Sequence, residues 1–199
     1  VKTGIDRTRD YLGNYGPVQV YVIGQESSEL EDPKTGQAII EAFCRRRHRG
    51  SPDRISDCLK GQGASLVQRA REGSTEAYLS YVNSTDPPFA ELVFINPHGF
   101  PFPYLYTRGI HEYTHVFQRA FPRTPTWMTE GGAEFLAFYL GDQEDWIDME
   151  QSMNQSMRMV QSVGDEATMK DFEDVEKLEE ERPELKKYYR HLAYDAGVW

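Results

Sequence analysis

The sequence predicts an α+β fold, with an N-terminal lobe of helices and a small sheet followed by a mainly helical C-terminal lobe. Three observations carry this expectation. The short alternating runs PVQVYVIG (17–24), EAYLSYV (76–82) and ELVFINP (91–97) all lie in the first half of the chain, and a period of two marks a strand with one buried face. After about residue 103 the apolar positions recur at helical spacing instead. The 199 residues, 39% of them hydrophobic, suffice for one sizeable core and at most two small domains. We therefore expect a single unit over 1–199, with lobes at 1–120 and 121–199.

Taken in order, residues 3–15 read as a short amphipathic helix closed by Gly13 and Gly16, and the first strand follows. A second helix covers about 36–49, and a Gly-, Ser- and Pro-containing linker then runs through Cys58. The turn-forming STDPP (84–88) separates the second and third strands. One helix runs from near Tyr104 to Ala120 and stops before Pro122. Another opens at Thr124-Pro125, because threonine is a good N-cap and proline suits a first helical turn. From Gly141 the chain is acidic and mostly helical, and Met149, Met153 and Met157 recur every four residues as a core-facing stripe.

Acidic side chains outnumber basic ones, 32 to 22, for a formal charge of −10. That balance argues against nucleic acid as a partner, since a phosphate binder needs an excess of cations on its contact face. The one basic cluster, CRRRHRG (44–50) with His48, reads as a solvated face or a partner for the acidic C-terminal part. No apolar run approaches the ~18 residues that cross a bilayer. Cys44 and Cys58 do not form CxxC pairs. They either close a short loop as a disulfide, which implies an oxidising, exported location, or stand as two buried thiols. The start at Val1 and the stop at DAGVW within a helical pattern suggest a processed piece of a longer product. Together with a disulfide they point to an extracellular or periplasmic location. Asn83 and Asn154 head glycosylation-type triplets.

The chemistry concentrates in GIHEYTHVFQ (109–118) and TPTWMTEGGAEFLAF (124–138). Residues four apart on a helix share a face, so His111 and His115 can aim both imidazoles at one point. Glu112 lies ~100° further round the helix. It borders that point without reaching it, where a general base takes a proton from an attacking water. A catalytic zinc has three protein ligands and keeps one position open, which calls for another His, Asp or Glu nearby. Glu130 and Glu134, one turn apart on the next helix, are the candidates. If that helix folds back, Glu130 reaches the metal and Glu134 accepts the free ring N–H of a ligating histidine, fixing its tautomer. Gly131 and Gly132 are poor helix formers, and close approach of the two helices beside the metal is a reason to keep them. Trp127 reads as a core anchor, and His98, just after a strand, as a loop residue or alternatively a residue lining the cleft.

HEYTH followed by WMTEGGAEFLA resembles the gluzincin metallopeptidases, especially the compact peptidase-MA-like families whose signature runs HExxH, a short loop, then WxxEGxAE. The close match covers roughly residues 108–138. The resemblance implies His111, His115 and Glu130 as ligands of one catalytic Zn2+, Glu112 as general base and proton shuttle, and Glu134 in the supporting role. It also implies a tyrosine donor to the oxyanion from a downstream helix, for which Tyr194 is the candidate and Tyr188, Tyr189 and His191 are competitors. A strand before the active-site helix lines the cleft in this group and pairs with extended substrate, which would make ELVFINP a free edge. A metzincin is excluded, because the residues three and six after His115 are Gln118 and Phe121. The reading is a zinc-dependent peptidase acting on a peptide or protein. A zinc-tied peptide-binding or scaffold module and a zinc amidase acting on non-peptide amides stand as alternatives.

Overall fold

A computed structural model describes residues 1–24, 30–83, 88–121, 123–162, 168–181, 183 and 186–199, with 186–190 by backbone alone. The expected turn at 84–87 and the helix stop at Pro122 lie outside the described residues. The elements are α1 (Lys2–Leu12), β1 (Val18–Ile23), α2 (Pro33–Arg47), α3 (Pro52–Lys60), α4 (Gln62–Arg71), β2 (Glu76–Asn83), β3 (Phe89–Ile95), α5 (Tyr104–Gln118), α6 (Thr126–Gln143), α7 (Met149–Gln161), α8 (Val175–Glu181) and α9 (Lys186–Gly197). The α+β class and the placement of the strands match the sequence reading.

The chain forms two compact units, residues 16–105 and residues 1–15 with 106–199. The boundary differs from the division at residue 120 that the sequence suggests, because α1 and most of α5 group with the C-terminal helices. Two glycines let α1 and α5 cross closely. A Cβ on Gly4 would come within 3.1 Å of the Ile110 nitrogen, and one on Gly109 would collide with the Val1 carbonyl.

In the unit 16–105 the sheet order is β1-β3-β2, with β1 parallel and β2 antiparallel to β3. The strand ELVFINP is therefore central. Val18↔Ala90 through Ile23↔Ile95 on one side and Glu76↔Ile95 through Asn83↔Phe89 on the other occupy both its edges. The expectation of a free edge for substrate is overturned. Its physical reason was visible in part: Phe89–Ile95 carries an almost unbroken apolar run, and such runs belong to strands buried within a sheet.

A helix, α3, stands where a linker through Cys58 was expected, and a second, α4, follows in a stretch that the sequence reading left unassigned. Pro52 sits in the first turn of α3, which begins after Ser51, and α4 buries Leu66, Val67 and Ala70. These join Phe43, Ile23, Val93 and Ile95 in the core of this unit. Cys44 on α2 and Cys58 on α3 form a disulfide with Cα atoms 5.6 Å apart. Closing a loop of this length stabilises the fold by about 3 kcal/mol on the chain-entropy model. The basic cluster also differs from expectation. Arg47 turns inward to the buried Glu91 at 2.8 Å and to Ser80, which the bulge between Leu79 and Tyr81 presents to it. His48, next in the chain, is half-buried.

In the other unit, α6 opens at Thr126, two residues later than expected. Thr124 instead bonds back to the Phe121 carbonyl, and the first amides of α6 donate to the carbonyls of Glu173 and Phe172. The orphan donors of the helix start are thus met by the chain before α8 rather than by a side-chain cap. Trp127 packs against Phe172, Val175, Leu192 and Ala193, the anchor expected of it. On α7 the fully buried positions are Ser152 and Ser156. Met149, Met153 and Met157 are half-buried, and the first two flank Phe138, Ile147 and Val198.

Candidate metal centre

Helix α5 is buried from Thr107 to Thr114, so every polar side chain on that stretch must be satisfied inside the protein. His111 and His115 fall on one face, as their spacing dictates, with ring centroids 4.7 Å apart. Helix α6 brings Glu130 to the same point. His111 Nε2 lies 3.2 Å and His115 Nε2 lies 3.5 Å from Glu130 Oε2. One ligand atom from each residue falls within 4.8 Å of the others, and no fourth His, Cys, Asp or Glu joins them among the described residues.

This donor set fits a zinc ion. About 3.3 Å is the edge of a tetrahedron with metal bonds of ~2.0–2.1 Å, so the two nitrogen–oxygen separations are those of ligands around one cation. Two imidazoles and a carboxylate leave one tetrahedral position open. Glu112 is buried but stands outside the converging atoms.

Each histidine is held from behind. Glu134 Oε2 lies 2.7 Å from His111 Nδ1 and 2.5 Å from the Arg108 guanidinium. His115 Nδ1 lies 2.6 Å from Gln118 Oε1, whose amide in turn donates to the Thr129 carbonyl at 2.7 Å. Gln118 therefore ties the His115 ring to the backbone beside Glu130. The sequence reading missed both Arg108 and Gln118. Their signal was their spacing, since Arg108 is three before His111 and Gln118 three after His115 on the same helix.

Tyr194 rests against the site, its ring centroid 5.7 Å from that of His111 at an angle of 32°. Of its competitors, His191 is exposed with its ring 6.2 Å from Tyr194, and the side chains of Tyr188 and Tyr189 lie outside the described residues. His98 sits exposed on a short 3-10 turn in the other unit. The role expected of the glycines is partly corrected. Gly131 permits close approach of α9 rather than α5: a Cβ there would overlap Gly197, and one on Gly197 would overlap the Trp127 carbonyl. That crossing fixes where α9 lies on α6, and Tyr194 is one turn before it. Gly132 faces Gln118.

Burial and neighbouring charges pull against one another at each of these groups. Burial opposes ionised Glu130, yet its contacts with His111 and His115 hold its carboxyl far below the usual range. Burial also opposes ionised Glu134, and the Arg108 cation with His111 outweighs it. For His111, burial and Arg108 both disfavour the protonated ring, but Glu130 and Glu134 prevail and raise it to about 9. Beside Tyr194, burial pushes Asp195 up to about 6, opposed by a hydrogen bond from Ser156 and reinforced by the Glu134 charge.

A consequence follows for metal uptake. A ligating imidazole must be neutral, whereas His111 holds its proton up to about pH 9 in the metal-free protein. Zinc binding at pH 7.5 should release about one proton from His111, and affinity should rise about tenfold per pH unit until it flattens near pH 9. Titration calorimetry in buffers of different ionisation enthalpy measures this. Release of no proton at pH 7.5 would contradict the assignment of His111.

A scan against protein-family models, a search of curated proteins and a search of solved structures each found no match.

Proposed function

We propose that this chain is a zinc-dependent peptidase of gluzincin type. The observation that carries the reading is the convergence of His111, His115 and Glu130 on one point, with Glu112 adjacent on the same helix and no fourth ligand among the described residues. Structural zinc sites fill all four positions, often with cysteine, which disfavours a scaffold role. When bound, zinc supplies Lewis-acid polarisation of the scissile carbonyl and lowers the pKa of the attacking water toward about 7.

The chain's own residues carry the remaining work. Glu112 accepts the proton of the water as its oxygen adds to the carbonyl carbon, and passes that proton to the amine as the C–N bond breaks. Glu134 and Gln118 hold the two imidazoles in place so that their Nε2 atoms face Glu130. The Tyr194 hydroxyl is the proposed donor to the oxyanion. The substrate class is a peptide or protein. The Cys44–Cys58 disulfide is compatible with an exported protein, and we place the activity outside the cytosol. No described helix is long and apolar enough to cross a membrane.

Elemental mass spectrometry on protein purified without chelator should find about one zinc per chain. A peptide-library digest should then show cleavage that a chelator abolishes and added zinc restores. Zinc uptake without cleavage of any peptide would favour a zinc amidase or a binding module. A protein that takes up no zinc would overturn the reading altogether.

A further inference from the structure

Arg108 is a buried cation at the foot of the metal centre, 8% exposed, on an α5 face that carries two of the proposed ligands. Leaving an ionised guanidinium away from water is costly unless carboxylates compensate it. Here compensation comes from functional groups. Its Nη2 meets Glu134 Oε2, and the same oxygen meets His111 Nδ1. Glu112, one turn along on the same helix, also adds to the negative field at Arg108. The cation therefore sits among three residues assigned to the site or its support, Glu134, Glu112 and His111.

The two histidines are thus supported by different chemistry. His115 is steadied by a neutral amide whose far end is tied to the Thr129 backbone. His111 has the Glu134 carboxylate 2.7 Å from its Nδ1, a close charge contact without hydrogen-bond alignment, and Glu134 Oε1 is buried with no hydrogen-bond partner among the described residues. Glu134 consequently depends on contacts through Oε2 for its orientation, and Arg108 supplies one of them beside that of His111. Remove it, and the carboxylate is free to rotate away from the ring that it orients.

We propose that Arg108 is a positioning residue of the metal centre, which locks the Glu134 carboxylate so that Glu134 in turn locks the His111 ring toward the metal. This rests on the metal reading above but not on hydrolysis. The test is a double-mutant cycle on zinc affinity, measured by competition with a chromophoric chelator, for Arg108→Met, Glu134→Gln and the double variant. Arg108→Met should weaken zinc about 10–100-fold, the usual loss for a group that orients a ligand. The double variant should bind no more weakly than the weaker single variant, because Arg108 acts through Glu134. Additive losses, or an unchanged affinity in Arg108→Met, would overturn the proposal.

Two further readouts keep the test decisive. If Arg108→Met does not fold, Arg108→Lys takes its place: one ammonium in place of the planar fork should lose several-fold in affinity alone and nothing further beside Glu134→Gln. In the metal-free protein, the His111 Nδ1–H should appear by NMR as a downfield proton protected from exchange, and should lose that protection in Arg108→Lys. Protection unchanged in the variant counts against Arg108 even if zinc does not bind. Wild-type protein that binds zinc without cleaving peptides defeats the peptidase reading alone and leaves the Arg108 cycle to be scored.

Discussion

Glu112→Gln should retain about one zinc per chain and lose peptide cleavage by about 10²–10⁴-fold, the usual contribution of a positioned general base. The substitution is nearly isosteric, and Glu112 is 3% exposed, so the packing of α5 changes little. Glu112 is also absent from the three converging ligand atoms, which is why metal content should survive. What disappears is the capacity to accept a proton from water and return it to the leaving amine. Metal analysis and steady-state kinetics on the same sample separate these outcomes. A Glu112→Gln protein that still cleaves its peptides would remove the mechanism, whereas one that loses zinc would make Glu112 a ligand.

Glu130→Ala should act at the other end of the scheme, on metal retention. If a zinc site of roughly 10–16 kcal/mol is shared among four positions, one ligand carries about 3 kcal/mol, or roughly 10²-fold in affinity. The loss should be seen directly as a fall in bound zinc after dialysis against a weak chelator, with activity following the metal. Glu130 is also the group toward which both imidazoles turn, at 3.2 and 3.5 Å. Its removal should therefore let His111 and His115 separate in the metal-free protein. Unchanged stoichiometry and affinity would move the third ligand elsewhere.

Which parts of this molecule were legible in the sequence follows from how local their physics is. The helix from Tyr104, its His111/Glu112/His115 spacing and the following Glu130/Glu134 pair needed only the 3.6-residue period and the chemistry of zinc. The strands needed only alternation. The segment from about residue 50 to Cys58 was misread because Gly, Ser and Pro were taken as a linker signal, although Pro52 suits the first turn of α3. Arg108 and Gln118 were passed over because charged and amide residues on a helix usually face water, and nothing local says that this helix is buried.

The sequence by itself determined the α+β class, the strands, the helix with its paired histidines and the residue types able to hold a metal, since each follows from periodicity or side-chain chemistry within a few residues. Only the tertiary structure decided that ELVFINP is the central strand, that Arg47 and Arg108 are inward cations, and that Gly131 meets Gly197. Those outcomes depend on which distant surfaces are brought together. Strand order, the compensation of a buried charge and the room for a Cβ are set by partners far away in the chain, so no local pattern contains them.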